Sequence, residues 1–152
     1  KDQYVRATSS KFGEQACIDS CVEFFCRPAG VLPYTNFECN CIGTMVATRR
    51  MGRDEDVVPF APEQMASIVR RTSLPHAQIE EKDGDFSWWV ELDIPWLLIT
   101  GEAQPVFPLT LECNFYKCGD LTRYPHFLSW QPILTPTPNF HCPQYFGKIE
   151  FK

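Results

Sequence analysis

The chain has 152 residues, a formal net charge of −5 and 22% charged residues, and its longest basic runs are the pairs at positions 49–50 and 70–71. A chain of this length buries one hydrophobic core without help from metals or crosslinks, and an acidic chain without basic clusters is a poor match for a nucleic-acid backbone. Because no run approaches the roughly 18 apolar residues of a membrane helix, the sequence predicts one domain, residues 1–152, with no membrane span and no nucleic-acid partner.

Two strands are predicted in the first third of the chain. Residues 18–25 alternate polar residues with β-branched and aromatic ones, as a half-buried strand does, and Glu23 is expected to point outward. Residues 34–41 alternate strictly, which places Asn40 on the polar side. Since Pro and Gly at 27–30 break the chain between them, the two strands are expected to form an antiparallel hairpin, with Asn40 the cross-strand neighbour of Glu23.

The middle of the chain is predicted to contain one short helix between loops. Residues 48–59 are charged and rich in turn formers. Residues 62–71 begin with Pro and Glu and end with two Arg, an order typical of a helix. Residues 82–85, Lys-Asp-Gly-Asp, are expected to form a turn.

The remaining strands follow at short intervals. Residues 86–95, 109–116 and 147–151 are predicted strands, 127–130 is a shorter one, and 135–143 is a Pro-rich loop. Short strands separated by Pro and Gly, with one minor helix, are typical of a sandwich. The sequence therefore predicts an all-β fold, a two-sheet antiparallel β-sandwich that is jelly-roll-like, with one short helix in a loop.

The eight cysteines are expected to be mostly free thiols. They are Cys17, Cys21, Cys26, Cys39, Cys41, Cys113, Cys118 and Cys142. Most lie inside strand-like runs, where a free Cys packs as a small hydrophobe. There is no Cys-x-x-Cys pair and no second half-site at a finger-like distance, so the spacing predicts no metal site.

Six segments carry a family resemblance, in order along the chain. They are DSCVEFF at 19–25, YTNFECNCIGT at 34–44, WVELDIP at 89–95, NFYKCGD at 114–120, HFLSW at 126–130 and NFHCPQYFG at 139–147. Over residues 19–151 the chain resembles the family 9 carbohydrate-binding modules. Members of that family carry further strands before the region around residues 4–8, so the chain is expected to lack N-terminal strands.

The resemblance implies a function as well as a fold. Its members are two-sheet sandwiches that bind mono- or oligosaccharides by aromatic stacking and polar side chains, without catalysis. They often work beside polysaccharide-degrading enzymes, so a carbohydrate ligand and a glycoside hydrolase in the same pathway or chain are the expected partners. The sequence leaves the compartment open, and the resemblance favours an extracellular or periplasmic location.

The candidate ligand-binding residues are Glu23, Asn40, Asn114, Tyr116, Trp130 and His141. A carboxylate such as that of Glu23 accepts hydrogen bonds from sugar hydroxyls, and Trp130 opens a Pro-rich loop where an exposed indole can stack on a pyranose. The resemblance places His141 near a sugar-facing aromatic. Each has a structural alternative, namely a solvated strand residue, a loop cap or a core side chain. The binding hypothesis predicts that Trp130→Ala and Glu23→Ala each weaken sugar binding.

No cofactor is expected, and calcium is the one ion that the resemblance suggests. Asp83 and Asp85 offer carboxylates on the predicted turn, as some relatives use for structural calcium. Turn composition alone favours a solvent-exposed turn without an ion.

Three other functions compete with sugar binding. Haem-carrying domains occur among similar sandwiches, and the possible axial ligands here are Met45, Met51, Met65, His76, His126 and His141, none in a haem pattern. Hydrolysis needs paired carboxylates, and the candidates Glu38, Glu91, Asp93 and Glu112 are expected on separate faces, so no enzyme is predicted. A structural accessory domain without a ligand is the third alternative.

Overall fold

The computed structural model describes residues 2–152, which form short strands joined by loops and three short helices. The strands are β1 (Asp2–Ala7), β2 (Cys21–Pro28), β3 (Tyr34–Asn40), β4 (Met45–Arg50), β5 (Val58–Pro59), β6 (Val69–Thr72), β7 (Ile79–Phe86), β8 (Val90–Asp93), β9 (Leu109–Cys118), β10 (Phe127–Ser129) and β11 (Gly147–Phe151). The helices are α1 (Pro62–Ala66), α2 (Trp96–Thr100) and a 3-10 helix (Pro143–Tyr145). None of the helices within residues 2–152 is long and apolar enough to cross a membrane.

One large antiparallel sheet organises the molecule. Its strand order is β10-β9-β2-β3-β4-β5, and β11 pairs with the first half of β9, beside β10. β2 therefore lies between β3 and β9, the two strands with which it shares most of its length. Its register brings Phe24 opposite both Phe37 and Phe115.

Alternation along these strands gives the sheet two different sides. We call the side that carries Phe24, Phe37 and Phe115 the core face, and the side that carries Glu23, Glu38 and Tyr116 the cavity face. The strict alternation of residues 34–41 in the sequence corresponds to these two sides.

The main hydrophobic core lies between the core face and a second layer. Phe37 and Met45 from the sheet pack with Leu98 and Ile99 of α2, and the half-buried apolar side chains of β8 close the cluster. Burying a side chain of this size contributes about 1.5–3 kcal/mol. The second layer consists of two separate two-stranded sheets, β6-β8 and β1-β7. The prediction of an all-β antiparallel sandwich is thus confirmed, with one of its layers divided.

The predicted helix at 62–71 is wrong in its second half. α1 ends at Ala66, and Val69–Thr72 forms β6, which pairs with β8. A helix of ten residues is marginal in water by itself, whereas the β-branched Val69 and Thr72 suit a strand. Arg71 adds an ion pair across the two strands, with Glu91. The single predicted helix is accordingly replaced by two α-helices, since Trp96–Thr100 is also helical.

The predicted turn at 82–85 is also wrong, because these residues lie inside β7. β7 pairs with β1, and the register shifts between Asp2 and Tyr4, which leaves an irregularity opposite Gly84. Gly84 has a φ of 150°, a conformation that suits a glycine at a bulge. Asp83 and Asp85, the suggested calcium ligands, are therefore exposed residues of a strand. The sequence also missed β4, whose last three residues fall in the charged segment predicted as a loop at 48–59.

All eight cysteines are free thiols, as the sequence favours. Seven are buried, and Cys17 is partly exposed. Two pairs lie directly opposite each other on β2 and β9: Cys21 with Cys118 and Cys26 with Cys113. The first pair is on the cavity face, and the second belongs to the main core.

A fully buried carboxylate joins β1 to the main sheet just before β2 begins. Asp19 accepts hydrogen bonds from the backbone N–H groups of Thr8 and Ser9, both at 2.9 Å, and from the amide of Asn40 at 3.0 Å. The Arg6 guanidinium lies 3.5 Å away. A buried charge is tolerated only when it is paired and hydrogen-bonded. Here the contacts lead to two separate parts of the chain, residues 6–9 and Asn40.

We predict that Asp19→Ala destabilises the fold by about 3–5 kcal/mol, because it leaves the Arg6 charge and several buried donors without their acceptor. Thermal unfolding followed by circular dichroism should show a midpoint lower by roughly 10 °C. The matched control is Asp85→Ala on the exposed strand β7, expected within about 0.5 kcal/mol of the parent. Equal stability of the two variants would contradict the role given to Asp19.

Candidate functional site

A polar cavity of about 100 Å³ lies over the cavity face of the main sheet. Its floor comes from β2 and β3, and its walls come from the loops around residues 53, 120 and 138–141. The lining residues are Cys17, Glu23, Glu38, Arg53, Asp120, Phe127, Pro138, Asn139, Phe140 and His141. Carboxylates, an amide, a guanidinium and aromatic rings thus converge on one small volume.

The floor of the cavity is a pair of carboxyl groups on neighbouring strands. Glu23 of β2 lies directly opposite Glu38 of β3. Burial raises the pKa of Glu23 well above its usual range, and the nearby Glu38 raises it further. Burial also raises the pKa of Glu38, while the charge of Arg50 and a 2.8 Å hydrogen bond donated by the Asn36 amide act in the opposite direction. Burial therefore makes both carboxyl groups easier to protonate than an ordinary glutamate.

Donors face these carboxyl groups from the loops. Arg53 is an exposed residue of the turn-rich segment before β5, and Asn139 follows the Pro-rich loop. The side-chain oxygen of Asn139 accepts a hydrogen bond from the backbone N–H of His141 at 3.0 Å. The side-chain nitrogen of Asn139 takes no part in that bond. Asp120, whose pKa is raised by burial, adds a third carboxyl group to the wall.

His141 lies at the edge of the cavity with its ring held between two aromatic residues. Its Nδ1 is 2.9 Å from the hydroxyl of Tyr34, and its ring centroid is 4.9 Å from that of Phe25. Burial lowers the pKa of His141 to about 3, and the charges of Arg50 and Arg53 act in the same direction. The ring is therefore neutral over the physiological range.

Aromatic rings form the opposite wall. The ring of Phe140 stacks on Tyr116 with centroids 4.1 Å apart, and Phe127 meets Phe140 edge-on at 6.1 Å. The Tyr116 hydroxyl donates to the backbone carbonyl of Phe140 at 3.1 Å. Tyr116, a predicted ligand residue, is thus buried behind Phe140 and positions it, whereas Phe127 keeps 42% of its surface exposed.

Two other predicted ligand residues have their amides occupied by the protein. Asn114 is fully buried, and its side chain exchanges hydrogen bonds with the backbone of Gln131 at 2.9 and 3.1 Å. Asn40 is fully buried beside Asp19, and its carbonyl accepts from the backbone N–H of Thr44 at 2.9 Å. The expectation that Asn40 is the cross-strand neighbour of Glu23 is wrong, because the register places Asn40 opposite Cys21.

Trp130 lies on the other side of the sheet from the cavity. Its backbone N–H donates to the Phe115 carbonyl at 2.9 Å, and its ring meets that of Phe115 edge-on at 5.8 Å. It is 48% exposed, as a stacking platform requires, but it shares the core face with Phe115. The structure therefore brings Glu23 and His141 together and leaves Trp130 apart from them.

The four carboxylates considered for hydrolysis form no pair in the cavity. Of the four, Glu38 lines the cavity, and its neighbour there is Glu23, which was not among these candidates. Glu112 pairs with Arg27 at 2.8 Å. Glu91 and Asp93 both pair with the exposed Arg71.

The sequence missed several cavity residues for different reasons. The alternation of residues 34–41 already places Glu38 on the same side as other polar residues, so its position beside Glu23 could have been found from the hairpin register. Arg53, Asp120 and Asn139 lie in loops, where no periodic pattern indicates direction.

A larger cavity of about 540 Å³ lies on the core face, between the main sheet and residues 90–96. Its walls are mostly aliphatic and aromatic, including Leu92, Ile94, Trp96 and Phe151. A polyol needs a donor or acceptor for each hydroxyl, so this cavity suits it less well than the small polar one.

Comparison with known proteins gives two matches. Residues 1–151 match the sequence model of the family described as carbohydrate-binding family 9. The fold is similar to the crystal structure of a provisionally assigned carbohydrate-binding protein from Bacteroides uniformis, with a TM-score of 0.92 and 37% sequence identity, covering 99% of this chain and 69% of that one. No curated protein matches the chain significantly.

We predict that the ring of His141 does not titrate between about pH 8 and pH 5, because burial lowers its pKa to about 3 from an ordinary value of 6.5. The unfolded chain binds this proton first, so the contribution of His141 to stability is present above about pH 6.5 and is lost as the pH falls towards 3. NMR of the imidazole protons against pH measures this, with His141→Asn to assign the signal. A midpoint near 6.5 would refute the prediction.

Proposed function

Because this chain belongs to carbohydrate-binding family 9, we propose that it binds a carbohydrate without transforming it, and that the polar cavity on the cavity face holds one unit of a mono- or oligosaccharide. The observation that carries the proposal is the convergence of Glu23, Glu38, Arg53 and Asn139 on one small volume. The relative from Bacteroides uniformis, with its provisional carbohydrate-binding role, supports the same ligand class.

The polar groups of the cavity suit the hydroxyls of a sugar. Glu23 and Glu38 supply acceptors side by side, spaced as directly opposite residues of antiparallel strands are. Arg53 supplies several donors from above. Neighbouring hydroxyls of a pyranose both donate and accept hydrogen bonds. The carboxyl groups of the floor can accept from these hydroxyls, and the guanidinium and the amide above can donate to them. Hydrogen bonds to charged groups contribute about 1.5–3 kcal/mol each.

The aromatic wall suits the apolar side of the same ring. The C–H groups of a pyranose stack on an aromatic face, and Phe127 and Phe140 both line the cavity. Phe140 is held in place by Tyr116, so it offers a pre-formed surface, while Phe127 is exposed enough to contact a ligand. Tyr116 therefore contributes to binding indirectly, by holding Phe140 in position.

The size of the cavity limits the ligand to one sugar unit. Pockets that enclose drug-sized molecules measure roughly 300–1,000 Å³, whereas this one measures about 100 Å³. We therefore expect a single ring, or the end of a chain, to enter. A glycoside hydrolase in the same chain or pathway is the partner that a module of this kind implies.

Glycoside hydrolysis is the second candidate, because Glu23 and Glu38 are opposed and both have a raised pKa. Hydrolases place their two carboxyl groups on either side of the glycosidic bond. Here both groups rise from adjacent positions on one face of one sheet, so they approach a sugar from the same side. This arrangement favours binding over hydrolysis.

We predict that two exposed aromatic residues at β10 differ in their effect on sugar affinity. Phe127→Ala should weaken binding about tenfold, because a stacking surface of the cavity is lost. Trp130→Ala is the matched control and should change the affinity less than about twofold, since Trp130 lies on the other face. Arg53→Ala should weaken binding about 10- to 100-fold.

Calorimetry measures these affinities on the sugar that binds best among cello-, xylo- and manno-oligosaccharides. Loss of binding in Trp130→Ala with Phe127→Ala intact would place the ligand on the core face. Failure of the parent protein to bind any sugar of a broad panel would favour the structural accessory role.

We further predict that the protein releases no reducing sugar from any oligosaccharide that it binds, because its carboxyl pair lies on one side of the ligand. Mass spectrometry of the oligosaccharide after prolonged incubation tests this. Cleavage that disappears in Glu38→Gln would instead establish the hydrolase, whereas cleavage that persists in this variant would indicate a contaminating enzyme.

A further inference from the structure

Beneath the cavity floor, two thiols and a carboxyl group meet inside the protein. The Sγ atoms of Cys21 and Cys118 and a carboxyl oxygen of Glu23 all lie within 4.8 Å of one another, and all three residues are buried. Within residues 2–152 these are the one group of three such side chains so close together. Neither the family resemblance nor the spacing of the cysteines in the sequence indicates this group.

We propose that Cys21, Glu23 and Cys118 bind one zinc ion. On binding, zinc replaces the protons of the two thiols and any proton that the Glu23 carboxyl group carries. These protons pass to solvent, and the two thiolates and the Glu23 carboxylate become three of the four zinc ligands. The proposal does not rest on sugar binding, although Glu23 belongs to both sites.

The geometry of the group is close to that of a zinc site. With bonds of about 2.3 Å to sulfur and about 2.0–2.2 Å to oxygen, tetrahedral ligand atoms are roughly 3.3–3.8 Å apart. The Sγ of Cys118 is already 3.1 Å from Oε1 of Glu23, and the widest separation in the group is at most 4.8 Å. Side-chain shifts of about 1 Å therefore complete the arrangement.

The backbone holds these ligands in place. Cys21 and Cys118 are directly opposite each other, at the start of β2 and the end of β9. Glu23 is two residues after Cys21, so its side chain emerges on the same face. All three ligands thus belong to two paired strands, which makes the site rigid.

The charge of the site also favours a cation. Glu23 forms no salt bridge within residues 2–152, and the one hydrogen bond to its carboxyl group is donated by the weak Cys118 thiol. A buried carboxyl group with such poor partners is costly. Two thiols and a carboxyl group form a set that selects zinc over calcium or magnesium, which prefer oxygen ligands.

An entry path and a fourth ligand are both available. Glu23 also lines the polar cavity, so an ion that enters the cavity reaches the group directly. Asp120 lines the same cavity beside the thiol of Cys118. The fourth position is therefore filled by Asp120 or by water from the cavity.

The protein contains its own control for this site. Cys26 and Cys113 are directly opposite on the same two strands and are equally buried. They lie on the core face among apolar side chains, with no carboxyl group in their cluster. The two pairs therefore share the same strands and pairing, and only the first has an acidic partner and access to the cavity.

The experiment is an anaerobic titration of the full chain, reduced and stripped of metal, with Co²⁺ as a spectroscopic probe and then with Zn²⁺. We expect a sulfur-to-cobalt charge-transfer band that saturates at one Co²⁺ per chain and disappears on addition of one equivalent of Zn²⁺. Cys21→Ser and Cys118→Ser should lose the band, and Glu23→Gln should bind at least tenfold more weakly. Cys26→Ser and Cys113→Ser should behave as the parent does.

Several results would overturn the proposal. The first is the absence of the charge-transfer band in the parent protein. This result does not depend on whether any variant folds. Others are a band that persists in folded Cys118→Ser, or one that is lost in folded Cys113→Ser. Free thiols are also counted before the titration. A disulfide between Cys21 and Cys118 that persists under reducing conditions would overturn the proposal, because it leaves no thiolates to bind zinc. No sugar is present, so the result is separate from the test of carbohydrate binding.

Discussion

The register of β2 between β3 and β9 is the constraint on which the rest of the structure depends. A slip of one residue would exchange every side chain between the two faces of the sheet. The buried Asp19 carboxylate fixes this register, because it binds backbone N–H groups that follow β1 and the amide of Asn40 at the end of β3. The start of β2 is thereby tied to two other strands, by bonds that a shifted register could not form.

From this register the two faces acquire different chemistry. On the core face, Phe24 meets Phe37 and Phe115, and the apolar second layer covers much of that side. On the cavity face, Glu23 meets Glu38, and the loops that follow β9 and β10 close over them. A single strand thus supplies a core side chain and a cavity carboxyl group at consecutive positions, and neither can move without the other.

Glu23 links the two proposals, since it lines the cavity and its Oε1 lies 3.1 Å from the thiol of Cys118. With a cation beside it, its charge is compensated. Glu38 then remains as a carboxyl group that faces a ligand in the cavity, and so does Asp120 when water fills the fourth metal position. The metal then changes the charge at the floor of the sugar site and is not part of the aromatic wall. Binding of the two ligands is coupled to whatever extent each changes the charge on Glu23.

The sequence by itself determined the all-β class, the hairpin of β2 and β3 and the positions of β9, β10 and β11, because alternation and Pro or Gly breaks are local signals. The strand predicted at 86–95 is only Val90–Asp93 in the structure. It misplaced residues 69–72 and 82–85, where pairing with a distant strand outweighs local preference. Only the tertiary structure decided which candidate residues meet. Trp130 and His141 are eleven positions apart on opposite faces, while Cys21 and Cys118 are neighbours because β2 and β9 pair across almost a hundred residues. Local patterns carry no information about such long-range pairing.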